Sequence, residues 1–107
     1  MKRVGFLLKV KREKMAEYIQ HHENVWPEML QALRESGWHN YSLFIREDGS
    51  LFGYFETEES LAAAQANMVG REINTRWQEF MAPYFESHNN ARPDEMFFEL
   101  TEIFHLD

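Results

Sequence analysis

Apolar side chains fall on every second residue at Val4, Phe6, Leu8 and Val10, and then the spacing changes: Met15, Tyr18, Ile19 and His22 recur at i, i+3, i+4 and i+7. A period of two describes a strand with one buried face, and a period near 3.6 describes a helix with one buried stripe. A strand followed by a one-sided helix has to bury both apolar faces against each other, so the chain is bound to a layered helix-on-sheet fold. The helix between Lys14 and Glu23 sets His22 inward beside Tyr18. A second stripe, Trp26, Met29, Leu30 and Leu33, begins at Trp26-Pro27, where proline suits a first helical turn and pushes the residue before it out of the α region. Gly37 ends that helix.

Tyr41, Leu43 and Ile45 alternate with Ser42, Phe44 and Arg46, Asp48-Gly49 supplies turn chemistry, and Leu51 to Glu56 continues as a strand. This is a hairpin. Thr57 is expected to cap the Ala-rich helix Leu61 to Ala66, a loop at Gly70 to interrupt it, and Ile73, Trp77, Phe80 and Met81 to form a further helical stripe ending near Pro83. His88 to Asp94 reads as a surface loop, and Met96 to Leu106, with Phe98, Leu100, Phe104 and Leu106 on alternate positions, as a closing strand. The order β, α, β, β, α, β is that of a ferredoxin-like split βαβ, an α+β fold with helices on one face of an antiparallel sheet. Phe44, Phe52, Tyr54, Phe97 and Ile103 are then expected on the opposite face. A second copy of the chain is the simplest cover for them, which makes a homodimeric α/β barrel packed sheet on sheet.

At 107 residues the chain is expected to be one domain, residues 1–107. A formal net charge of −7 opposes binding to nucleic acid, which requires cationic surface to neutralise phosphates. The chain contains no cysteine, so it needs no oxidising compartment and fits the cytoplasm. Lys9, Lys11 and Arg12 break the first apolar run before it could act as a signal core or enter a membrane.

Several residues could carry chemistry. His22 lies on the apolar stripe, where it is either a partly buried imidazole satisfied by a backbone carbonyl or an acid–base group in a pocket. Tyr18, one turn earlier, could touch whatever His22 touches or simply fill the core. Trp38-His39-Asn40-Tyr41 mixes ring faces with hydrogen-bonding edges, a combination suited to a sugar and also common in cores. His21, His22, His39, Glu17 and Glu23 do not have the spacing of a metal site, and Met68-Val69-Gly70 is no phosphate loop. Glu58-Glu59, Glu79 and Glu86 read as solvated helix faces.

Taken together, Tyr18 with His22, Val25-Trp26-Pro27-Glu28, Gly37 before His39-Asn40-Tyr41, Arg76-Trp77 and Glu102-Ile103-Phe104-His105-Leu106 resemble the L-rhamnose mutarotase family over nearly the whole chain. The resemblance implies a dimeric α/β barrel that exchanges the α and β anomers of L-rhamnose without cofactor or metal. His22 matches the family's proton donor, and Tyr18, Tyr41 and Trp77 match substrate-binding positions. Gln78 stands where some members have the second of a Trp-Trp pair, and its amide can donate as well as accept there. His22 is expected to act as general acid toward the ring oxygen. Fold analogy adds a second reading, a dimeric-barrel haem binder or small monooxygenase, and a third makes the chain a non-catalytic sugar sensor or dimerisation module.

Overall fold

The computed structural model describes all residues except 87–90. Its strands are β1 (Lys2–Lys9), β2 (His39–Ile45), β3 (Ser50–Thr57) and β4 (Phe98–Leu100), and its helices are α1 (Met15–His22), α2 (Pro27–Glu35), α3 (Leu61–Met68) and α4 (Glu72–Met81). The strands form one sheet in the order β2-β3-β1-β4, with every neighbouring pair antiparallel.

Local chemistry accounts for most of the boundaries. Trp26 has the extended backbone expected before proline (φ −55°, ψ 131°), and Pro27 opens α2. Gly37, at φ 92°, closes it: the Trp38 amide donates to the Leu33 carbonyl at 2.9 Å and the Gly37 amide to Arg34 at 3.3 Å, the paired bonds of a Schellman cap. The hairpin turns where expected, with the Gly49 amide on the Arg46 carbonyl and the Ser50 amide on the Asp48 carboxylate.

The cap of α3 is not Thr57. Thr57 is the buried last residue of β3, and the Ser60 hydroxyl accepts from the Ala63 amide at 3.0 Å instead. A capping side chain has to sit just outside the first turn, and Thr57 is still in the ladder.

Phe6 is the centre of the core. It is wholly buried and pairs across the sheet with Gly53, where an added Cβ would overlap the tip of the Phe6 ring. Phe97 stacks on Phe6 with centroids 4.0 Å apart, and Trp38 stacks on Phe55 at the same distance while its indole donates to the Ala64 carbonyl. Phe97 is therefore on the helix side of the sheet, not on the free face. This inward turn also shortens the closing strand. β4 pairs with β1 only from Phe98 to Leu100, and beyond it Ile103, Phe104 and Leu106 are exposed, with no layer of the described residues against them.

Three helical stripes are narrower than their spacing suggested, and in α2 it is Leu30 that is exposed, at 37%. Ile19 and Phe80 face outward, 43% and 37% exposed, whereas the polar Asn74 and Gln78 are buried. Among the carboxylates expected on solvated helix faces, all are exposed but only Glu79 lies on a helix.

The free face of the sheet carries an apolar row that crosses all four strands: Phe44 opposite Phe52, Phe52 opposite Leu7, and Leu7 opposite Phe98. Each of the four is at least 36% exposed.

Gly53→Ala is expected to destabilise the protein by about 1–3 kcal/mol, because the methyl group would have to displace Phe6 from a filled core. Urea unfolding checks this as a lowered midpoint at constant slope; an unchanged midpoint would mean that Phe6 has room to move.

Candidate active site

A cavity of about 350 Å³ lies between the sheet and the helices, lined by residues of β1, β2, β3, all four helices and the Pro93–Glu95 turn. Its size suits a small molecule rather than a macromolecule. Tyr18, His22, Tyr41, Trp77 and Gln78, expected from the sequence as site residues, all line it. His39 does not.

His22 ends α1 with its ring 4.3 Å from that of Tyr18 and 5.5 Å from that of Trp77. Its Nδ1 lies 2.9 Å from the Tyr18 carbonyl. A carbonyl can only accept, so Nδ1 carries the proton, and the neutral ring presents an Nε2 lone pair. Among the described residues Nε2 has no hydrogen-bond partner. The two readings of His22 left open by its spacing thus coexist: one ring nitrogen is satisfied by the backbone and the other is available to the cavity. Burial pushes the His22 pKa below its ordinary value, the bond to Tyr18 partly offsets this, and neighbouring His21 adds a smaller lowering.

Tyr18 and Tyr41 both have their pKa raised by burial, so each remains a neutral phenol near physiological pH. Among the described residues neither hydroxyl has a hydrogen-bond partner, and since no buried side-chain N or O atom there is left unpaired, both hydroxyl oxygens are open to the cavity. A ligand or water must satisfy them. Tyr41 follows Asn40, which adopts φ 48° where the β2–β3 register slips between His39 and Ser42. Asn tolerates that left-handed backbone, and such a bulge re-aims the neighbouring side chain. The Tyr41 ring then packs near Phe6, Trp38 and Phe55.

His21 belongs to a different cluster. The Tyr84 hydroxyl donates its one proton to Glu17 at 3.2 Å, so it accepts from His21 Nε2 at 2.9 Å. Among the described residues no group of three His, Cys, Asp or Glu side chains is arranged to hold a metal ion.

The remaining polar lining, Gln65, Asn74 and Asp94, was not singled out from the sequence. Asp94 sits in the segment expected to be a surface loop, of which residues 88–90 lie outside the described residues; Pro93 is buried and Asp94 faces the cavity wall. A signal for Asn74 existed. Asn74, Trp77, Gln78 and Met81 repeat at i, i+3, i+4 and i+7, the same stripe period with two polar members.

Residues 3–106 match the protein-family model for L-rhamnose mutarotase. The L-rhamnose mutarotase of Oceanobacillus iheyensis is 38% identical over 108 residues, and that of Bacillus subtilis 37% over 108, each alignment covering 100% of both chains. The crystal structure of L-rhamnose mutarotase from Formosa agariphila superposes with a TM-score of 0.81 at 28% identity and covers 100% of each chain. None of these names points to haem binding or a monooxygenase.

Because the two phenol hydroxyls bond nothing among the described residues, Tyr18→Phe and Tyr41→Phe are expected to change folding stability by less than about 0.5 kcal/mol. Urea unfolding of each variant checks it. A loss above about 1.5 kcal/mol would place the hydroxyl in a structural hydrogen bond.

Proposed function

This chain belongs to the L-rhamnose mutarotase family, and we propose that it interconverts the α and β anomers of L-rhamnose within the cavity, with His22 moving the proton and Tyr18, Tyr41, Trp77 and Gln78 holding the sugar. The observation that carries this reading is the convergence, in one small cavity, of an imidazole Nε2 and two phenols that have no hydrogen-bond partners among the described residues. Trp77, packed edge-on between His22 and Trp26, offers a ring to the C–H face of a pyranose.

Mutarotation opens the ring and closes it on the other face of the carbonyl. Since burial keeps His22 neutral near pH 7, it enters as a base. Nε2 takes the proton of the anomeric hydroxyl, the oxygen lone pair forms the carbonyl, and the C1–O5 bond breaks with its electrons moving to O5. The imidazolium then gives its proton to O5. His22 is thus the acid toward the ring oxygen, in keeping with the proton donor that the family resemblance implies, after first collecting the proton it donates. Rotation about C1–C2 and the reverse steps produce the other anomer. Charge and protons balance without a second titrating residue, and the Tyr18 carbonyl steadies the imidazolium through Nδ1–H.

The chain acts as one domain spanning residues 1–107. Its chain order and the β2-β3-β1-β4 arrangement support a ferredoxin-like fold. The row Phe44, Phe52, Leu7 and Phe98 supports a homodimer closed sheet on sheet, because such a continuous apolar strip is costly to leave in water. A cytoplasmic location is supported by the lack of cysteine, and no described helix is long and apolar enough to cross a membrane.

Exchange spectroscopy on the anomeric protons of L-rhamnose tests the reaction: His22→Asn is expected to slow catalysed exchange by about 10²- to 10⁴-fold with an unchanged circular-dichroism spectrum. In the wild type, kcat/KM is expected to be level at neutral pH and to fall as pH drops through a value below the ordinary histidine pKa of about 6.5, where His22 becomes protonated. Exchange that instead climbs on acidification, after subtraction of the buffer reaction, would show the imidazolium to be the resting form. For assembly, sedimentation is expected to give a dimer for the wild type and a monomer for Phe44→Lys/Phe98→Lys; a wild-type monomer at every concentration ends the dimer reading.

A further inference from the structure

The polar part of the cavity wall is a closed ring of hydrogen bonds. The Asp94 amide donates to Gln78 Oε1 at 3.1 Å, Gln78 Nε2 donates to Asn74 Oδ1 at 3.0 Å, and Asn74 Nδ2 donates to Asp94 Oδ2 at 3.3 Å. A backbone N–H can only donate and a carboxylate can only accept, so the two ends of the ring fix the orientation of both side-chain amides. Arg92 adds Nε to Asp94 Oδ1 at 3.1 Å and Nη2 to Oδ2 at 2.8 Å, while Gln65 Nε2 donates to the Asp94 carbonyl at 2.7 Å.

A carboxylate offers about four acceptor sites, two on each oxygen. Oδ2 is filled by Arg92 and Asn74; Oδ1 receives Arg92 alone and has one site open. Asn74 and Gln78 each keep one amide hydrogen without a partner among the described residues. The wall therefore presents one charged acceptor beside two donors, the complement of a hydroxyl that donates and accepts at once. Burying two amides costs free energy that an apolar wall would avoid, and the same helix leaves Phe80 outside. The polarity is a property of the cavity rather than of the sequence available to line it.

We propose that Asp94 is a specificity-determining substrate contact: its carboxylate accepts a hydrogen bond from a ring hydroxyl of the sugar other than the anomeric one. Arg92 and Asn74 aim the carboxylate, and Gln78 holds the turn that carries it. The inference rests on the sugar-binding reading of the cavity. It assigns Asp94 to recognition, and leaves the proton transfer to His22.

The test measures L-rhamnose and its 2-, 3- and 4-deoxy analogues against wild type and Asp94→Asn, reading Kd from tryptophan fluorescence and KM and kcat from anomeric exchange. Losing a charged hydrogen bond is expected to raise Kd and KM for L-rhamnose by about 10- to 100-fold. The kcat should stay within about threefold, since the contact is made equally in ground and transition states. One deoxy analogue should show the same loss in the wild type and no further loss in Asp94→Asn. An unchanged Kd in the variant, or equal weakening of all four sugars, overturns the proposal, the latter because a structural role does not distinguish hydroxyls. Should the variant not fold, the wild type alone decides against it if no deoxy analogue binds more weakly than L-rhamnose. A wild type that binds the sugar but accelerates no exchange removes the mutarotase reading while the Kd ratios still judge Asp94. If it does neither, the sugar reading and this inference fall together.

Discussion

The seat of Phe6 on Gly53 is the contact from which the rest of the cavity is built. A glycine in the middle of a strand gives up packing surface and costs conformational entropy. Here both losses are offset, because the missing side chain leaves room for a fully buried ring from the neighbouring strand. Phe97 stacks on that ring, and Tyr41 and Phe55 pack near it. The position of Phe97 in turn fixes the chain just before β4, and with it the Pro93–Glu95 turn that brings Asp94 to the cavity. One cross-strand pair thus sets the floor of the site and the location of Asp94, a wall residue three positions upstream of Phe97.

The same sheet explains why the two sides of the molecule are so different. All four helices lie against one face, where the aromatic cluster and the cavity are. The other face bears a strip of three phenylalanines and a leucine that the described residues leave exposed. Helix layer and free face are not independent: the inward turn of Phe97 puts Phe98 outward, so the residue that completes the core also completes the exposed row. Core and candidate interface are thus read from alternate residues of the same strands.

Within the site, burial does two things at once. It lowers the pKa of His22, which leaves Nε2 with its lone pair near neutrality, and it raises those of Tyr18 and Tyr41, which keeps them as donors. Desolvation disfavours charge on either kind of group, so a single physical cause prepares an acceptor and two donors in one small space. Asn74, Gln78 and Asp94 are prepared differently. They hold one another through hydrogen bonds, and the geometry of the ring rather than a shift in titration decides which atoms remain available.

Much of this was legible in the sequence where the cause is local. The Trp26-Pro27 break, the Schellman cap at Gly37, the Asp48-Gly49 turn and the His22 stripe follow from backbone sterics and from periodicities of two and 3.6, which act within a few residues. Those same local rules brought Tyr18 and His22 to notice, the mix of ring faces and hydrogen-bonding edges marked Tyr41, and Trp77 and Gln78 entered as site residues through the family resemblance alone. What they could not settle is which of several apolar or polar residues faces a neighbour distant in sequence. Thr57 is a plausible cap until the β3 ladder is seen to include it; Phe80 belongs in the α4 stripe until Asn74 and Gln78 take the inner positions; Phe97 and Phe98 could exchange faces until Phe6 claims one of them. The sequence by itself determined the order of elements, their breaks and the family. Only the tertiary structure decided the length of β4, the burial of the α4 amides and the place of Asp94 at the cavity, because each depends on what lies opposite, and no local period encodes that.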